Sequence, residues 1–330
     1  MRFVIVNLLD TSKNLGHFEI HRKQNHKIGG EMNDSTASQF KVWAFLRRNT
    51  ALLSHDEYRA GHVGFHCGNT RRLKGIRGYT VNIHDERADL GRALAATGAV
   101  TVENESQGFL DLWDGFPAVH FDDRQRWTQA GTPEPTRATE DGLVEDPDWT
   151  LSDGPFLFDR VAPMTTQFRS YHTRVEEHVI QPVLRAEARP YKLVQFFRGA
   201  EGLALDALRE QLLTEYTPLC STFSGLNGLV LNLRDPDIDA AVQGYYPEDH
   251  WCFTAEGRAF REAFFGLWDG ALELWFDHAD AFVAARAAHP MLPTLNELER
   301  GLFSALWYVA VDENVIVMPN RQPAPDFYYR

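Results

Sequence analysis

Lys41-Val42-Trp43-Ala44-Phe45-Leu46-Arg47 returns 151 residues later as Lys192-Leu193-Val194-Gln195-Phe196-Phe197-Arg198. Each stretch is a short apolar run closed by basic residues, the pattern of a strand buried on both faces. The match has company. Leu73-Lys74-Gly75-Ile76-Arg77-Gly78 returns as Phe223-Ser224-Gly225-Leu226-Asn227-Gly228 at an offset of 150, and Asn82 as Asn232. Leu112-Trp113-Asp114-Gly115 returns as Leu267-Trp268-Asp269-Gly270 at 155. Val175-Glu176-Glu177-His178-Val179-Ile180 returns as Val311-Asp312-Glu313-Asn314-Val315-Ile316 at 136. Four ordered blocks with small gaps mark an internal duplication.

Each copy carries the same succession of elements. A first strand (42–46; 193–197) leads to a helix (54–72; 205–222), and a strand bounded by Gly follows (79–83; 229–233). After a variable stretch come a third strand (116–121; 271–276), a helix (123–130; 280–288) and a last strand (171–180; 306–317). That order is β-α-β-β-α-β, so the predicted class is α+β with two fused ferredoxin-like units. An antiparallel sheet of this kind takes both helices on one face and leaves the other to be covered, here by the second copy. Expected boundaries are an extension at 1–39, a first unit at 40–182 and a second at 190–320. The extension is polar, with His17, His21 and His26 scattered and no carboxylate or thiol joining them at metal-ligand spacing.

Composition narrows the function. A net charge of −13 on 330 residues, with no basic stripe, speaks against nucleic-acid binding. No apolar run reaches the roughly 18 residues of a membrane helix, and no secretory leader is visible. Cys67, Cys220 and Cys252 form no CxxC pair, which predicts a reducing, cytoplasmic setting without disulfides or a zinc module. No Gly-rich phosphate loop, P-loop or GxSxG is present.

The chemistry-bearing stretch runs from Ser54 to Asn69. Ser54 and Glu57 have capping-box spacing, and Tyr58, His62 and His66 recur every four residues on one helical stripe. The matching stripe in the second copy is Leu208, Leu212 and Tyr216, an apolar face that must meet a core. The first stripe is therefore expected to face inward. Buried imidazoles suit acid/base work near neutral pH, and equally serve as satisfied core residues. His62 and His66 have i, i+4 metal spacing, but the Glu of a zinc helix and a third ligand are missing, so no metal is expected. Tyr79 is a candidate proton donor. Asn82 and Asp114 recur in both copies, which favours structural hydrogen bonds and a turn. Glu273 is an acid in an apolar strand whose proton affinity should rise if it faces a pocket.

These residues resemble the EthD domains of the dimeric α+β barrel superfamily. The resemblance runs through Lys41–Arg48, Glu57-Tyr58 with His62 and His66, Leu73 through Asn82, and Asp114-Gly115 through Phe121. In the second copy it runs through Leu208 with Tyr216-Thr217-Pro218, Phe223 through Asn232, and Asp269 through Phe276. There are departures: His62 stands where the family often has Trp, Ala118 where Glu273 keeps the family carboxylate, and only His66 retains the helix histidine. The resemblance implies a fused pseudo-dimer, an intramolecular dimeric α+β barrel whose two sheets pack face to face. It also implies an apolar small-molecule pocket between each sheet and its helices, and chemistry without an organic cofactor.

The expected function is acid/base catalysis of the dehydratase, decarboxylase or isomerase type on a hydrophobic, aromatic or polyketide-like substrate. His66 is the principal base, aided by His62, Tyr79 and Tyr58. Trp43, Phe65, Asn82, Asp114, Tyr216 and Glu273 are the candidate substrate contacts. A cofactor-independent monooxygenase in the same pocket and a non-catalytic binding protein are the alternatives, and a homo-oligomer is possible in each case.

Overall fold

The structure, a computed structural model, describes residues 39–131 except 72, 74, 87–89, 91–92, 95–104 and 106–107; 154–185 except 163–164 and 166; and 189–319. The predicted extension, up to residue 38, lies outside these, as does the segment 132–153.

Eight strands are formed among the described residues: β1 (Phe40–Leu46), β2 (Ile76–His84), β3 (Gly115–Phe121), β4 (Ser170–Gln181), β5 (Tyr191–Gly199), β6 (Gly228–Arg234), β7 (Gly270–Phe276) and β8 (Phe303–Val317). They close into one antiparallel barrel in the order β1-β3-β2-β8-β5-β7-β6-β4. The protein is thus a mixed α/β chain built on an eight-stranded barrel. Residues 40–181 contribute β4-β1-β3-β2 and residues 191–317 contribute β8-β5-β7-β6, the same internal order twice.

The expectation of two sheets stacked face to face is corrected in one respect: the sheets join edge to edge. β4 and β8 have 12 and 15 residues against 7 to 9 in the other strands. They overhang their own halves and pair with β6 and β2 of the other, which removes every open edge.

Period-two alternation then divides the side chains. One set faces the helices: Val42 and Leu46 of β1 with Tyr79, Val81 and Ile83 of β2 in the first half, and Leu193, Phe197, Leu229 and Leu231 in the second. The other set fills the barrel. Trp43, Phe45, Trp113, Phe116, Phe196, Trp268 and Trp307 make a continuous aromatic core, closed at one end by Phe109 stacked on Phe264 at 5.6 Å. Many of the chain's Phe and Trp side chains are thus used in packing.

The recurrent Trp-Asp-Gly has a structural cause. Asp114 accepts from the Arg48 backbone N–H at 2.7 Å, and Asp269 accepts from that of Gly199 at 2.8 Å. A β-carbon on Gly115 would sit 2.9 Å from the Asn82 carbonyl oxygen, and one on Gly270 2.8 Å from that of Asn232. Both glycines are therefore needed for strand approach. Gly115→Ala is expected to cost about 1–3 kcal/mol through overpacking, read as a lower urea midpoint; an unchanged midpoint would refute the close approach.

Candidate functional site

The helix predicted over 54–72 forms, but it is interrupted. His55–Gly61 is α-helical, His62–His66 is a π turn in which the Cys67 N–H reaches the His62 carbonyl, and Cys67–Thr70 resumes the α-helix. The predicted capping box of Ser54 and Glu57 is present. Leu212–Tyr216 is a π turn at the matching place in the second half, with the Thr217 N–H on the Leu212 carbonyl. π turns are uncommon and often sit at functional sites, though recurrence in both halves shows that this one belongs to the fold.

The stripe faces inward. Tyr58 and His62 have no exposed surface, and His66 is half-buried. The Tyr58 hydroxyl lies 3.0 Å from His62 Nδ1, while His62 Nε2 is buried and has no hydrogen-bond partner among the described residues. Phe158 packs edge-on against both imidazoles, with ring centroids 5.3 Å from His62 and 5.1 Å from His66; the two imidazoles are themselves 5.3 Å apart. Burial, helped by the neighbouring His66, holds the His62 proton affinity well below the ordinary imidazole value, so the ring is neutral. Burial first, then nearby Asp114 and Cys67, raises that of Tyr58 well above the phenol range. Tyr79 shares this layer, its hydroxyl 3.3 Å from Cys67 Sγ, and burial likewise keeps it protonated.

The remaining sequence candidates fall elsewhere. Phe65 is 63% exposed and points away from the stripe. Trp43 lies within the aromatic barrel core. Tyr216 is buried in the second half, accepting from Gln195 Nε2 at 2.5 Å and donating to Glu299 at 2.9 Å, with Arg286 on the same carboxylate at 2.6 Å.

Asn82 and Glu273 belong to an ionic layer inside the barrel that the sequence reading did not foresee. Lys41 Nζ reaches Glu177 (2.5 Å), Asn232 Oδ1 (2.7 Å) and Glu273 Oε2 (3.1 Å). Lys192 Nζ reaches Glu313 (3.1 Å), Asn82 Oδ1 (2.8 Å) and Glu273 Oε1 (2.6 Å). The two lysines are thus equivalent, and Glu273 gives one oxygen to each. The expected rise in the Glu273 proton affinity is overturned. Burial alone would raise it, but Lys192 and Lys41 outweigh burial and hold it below the usual carboxylate range. Lys41 and Lys192 open the matching repeat blocks, and that was the available sign.

His120 and His172, which look like isolated strand histidines in the sequence, are both buried. His120 contacts Glu177 at 3.2 Å in the ionic layer. His172 lies on the helix-facing side of β4, where its Nδ1 is 3.0 Å from Ser170 Oγ and its ring packs edge-on against Tyr246 at 5.4 Å. Burial lowers its proton affinity to about 3.

Among the described residues, three metal-capable side chains converge at His55, Glu86 and Asp114, but the Arg48 guanidinium already sits on both carboxylates. Nor is any helix among them long and apolar enough to cross a membrane.

No family model matches the sequence, and no curated protein matches it. Solved structures of similar shape include a provisionally named monooxygenase from Lactobacillus acidophilus, at 6% identity and TM-score 0.45, covering 86% of this chain and 97% of that one. A second provisionally named monooxygenase, from Fusobacterium nucleatum, has 6% identity and TM-score 0.44 over 86% and 94% of the two chains. An anthrone oxidase-like protein has 7% identity and TM-score 0.46 over 88% and 98%. At this degree of likeness nothing about activity follows.

Proposed function

We propose that the helix-facing layer of residues 40–181 is the acid/base site of a small-molecule enzyme working without an organic cofactor. The observation that carries the reading is the Tyr58–His62 pair with its unpartnered Nε2. If the Tyr58 hydroxyl donates to Nδ1, the neutral ring keeps its proton on Nε2, leaving an N–H donor inside an apolar layer. Such a donor fits a carbonyl oxygen of an aromatic or polyketide-like substrate. His66, the neighbouring imidazole, is placed to take the proton from the carbon beside that carbonyl, while His62 stabilises the enolate oxygen. The enolate then expels a β-hydroxyl as water, the His66 imidazolium returning its proton to the leaving oxygen, or is reprotonated at another carbon. A decarboxylation would instead form the same enolate by loss of carbon dioxide from a β-keto acid, with protonation at carbon following. The matching order of strands in the two halves supports reading 40–182 and 190–320 as fused ferredoxin-like, EthD-like units. The presence of His62 and His66 where the second half has Leu212 and Tyr216 supports assigning the chemistry to the first half.

Turnover of a panel of uncharged aromatic β-hydroxy ketones, assayed under nitrogen and in air, tests the reading. Wild type is expected to turn over anaerobically. His66→Phe should lose about 10²–10⁴-fold in kcat with its melting temperature kept. Activity retained in that variant sinks the assignment, and turnover only with oxygen uptake moves it to the monooxygenase alternative.

A further inference from the structure

Position by position, the second half's buried polar network corresponds to a different set of side chains in the first. By the offsets of the repeat, Gln195 matches Ala44, Tyr216 matches His66, Arg286 matches Gly131 and Tyr308 matches His172. In the second half these groups close on one another: Gln195 on Tyr216, Tyr216 and Arg286 on Glu299, and Arg286 over the Tyr308 ring at 5.9 Å. The matching first-half positions must face one common space as well. Two long polar side chains have become Ala and Gly there, and two phenols have become imidazoles.

Part of the vacated space is refilled. Tyr245 comes so close to Gly131 that a β-carbon would overlap it, and it stacks on Trp127 at 3.9 Å. The part beside Ala44 is different. Ala44 pairs with His172 across β1 and β4. Ala44, Ser170 and His172, which lie under the helical layer where β1 ends and β4 begins, each keep 7% of their surface accessible, whereas Gln195 keeps 1%. Arg174, two positions along the same face of β4, is held by Asp235 at 3.0 Å, and the nearby Arg261 by Asp239 at 2.8 Å. An ionised guest would be desolvated without a partner, which is costly.

We propose that His172, with Ser170 and Tyr246 behind it, forms the second wall of the site begun by Tyr58, His62 and His66. An uncharged, largely apolar small molecule bearing an oxygen or nitrogen function would lie between the walls, across Ala44. The proposal rests on the assignment of the active layer to the first half. It adds a ligand-contacting residue and a ligand class. The second half, where Gln195 and Arg286 fill the equivalent space, binds nothing there.

Restoring the second half's side chain provides the test. Ala44→Gln should fold with an unchanged melting temperature, because Gln195 occupies the same place in the other half. It should also weaken binding of 1-aminoanthracene, an uncharged fluorescent aromatic, at least tenfold relative to wild type. Anthracene-2-sulfonate should bind wild type at least tenfold more weakly than 1-aminoanthracene. In imidazole NMR spectra of the full-length protein, 1-aminoanthracene should move the His172 and His66 signals. Wild-type affinity in Ala44→Gln, no binding to wild type, or unmoved His172 signals would each overturn the proposal. So would unfolding of both Ala44→Gln and Ala44→Leu, which would mean the space is absent. A bound probe beside His172 in a protein that never turns over a ketone leaves this site standing and removes the catalytic reading.

Discussion

Lys41→Met is expected to lower stability by about 3–5 kcal/mol, the usual cost of leaving a buried ion without its partner. The lysine is buried and serves Glu177, Asn232 and Glu273 at once. Removing it leaves Glu177 with His120, and Glu273 with Lys192 and the Asn232 side-chain amide, inside a buried layer where an uncompensated charge is costly. The effect should be strongly pH-dependent in wild type. Glu177 is depressed although burial opposes it, because Lys41 and His120 outweigh burial. Glu313 is likewise held at about 2 against burial, by Lys192 and Arg185. Carboxylates depressed in the folded state contribute stability above their unfolded values, near 4.5, and lose it as pH falls through the folded ones. Wild type should therefore lose stability steeply below about pH 4.5, and Lys41→Met should show a shallower acid limb from a lower plateau. Urea unfolding at pH 7 and between pH 2 and 5 checks both. A variant within about 1 kcal/mol of wild type would show that the ionic layer is energetically idle.

The recurring blocks made most of the architecture readable in the sequence. Recurring blocks located all eight strands to within a few residues. The equivalence of Leu208, Leu212 and Tyr216 with Tyr58, His62 and His66 set the facing of the helix. What stayed illegible depends on the third dimension. Alternation splits β2 into two faces, but only closure of the barrel decides that Tyr79 meets the helices while Asn82 meets Lys192. Lys41 and Lys192 read as ordinary strand-end lysines, because their partners lie on β4, β6 and β7 and on β2, β7 and β8, far away in the chain. His172 looks isolated in sequence because Tyr246, which packs against it, is 74 residues away in the other half. The π turn left no mark in the spacing, since one inserted residue per helix looks like ordinary helical phase drift. Phe65 illustrates the opposite error: one residue from His66 in sequence, it points to solvent on the far side of the turn.

Arg286→Leu tests the division of labour between the halves. Arg286 and Glu299 are both essentially unexposed and meet at 2.6 Å, and the Tyr216 hydroxyl donates to the same carboxylate. Truncating the arginine removes the charged donor 2.6 Å from Glu299, and the expected cost is again about 3–5 kcal/mol. Replacing both partners with leucine should recover most of that loss, since a buried pair exchanged for apolar groups of similar volume is often neutral or better. A double variant no more stable than Arg286→Leu would mean that the network is held by packing rather than by charge compensation. Binding of 1-aminoanthracene to the first half should be the same in wild type and in both variants, because the position matching Arg286 there is Gly131. Stability would then fall through the second half while the first half keeps its ligand. That separation would follow from imidazoles standing in the first half at the positions where the second half carries its closed network.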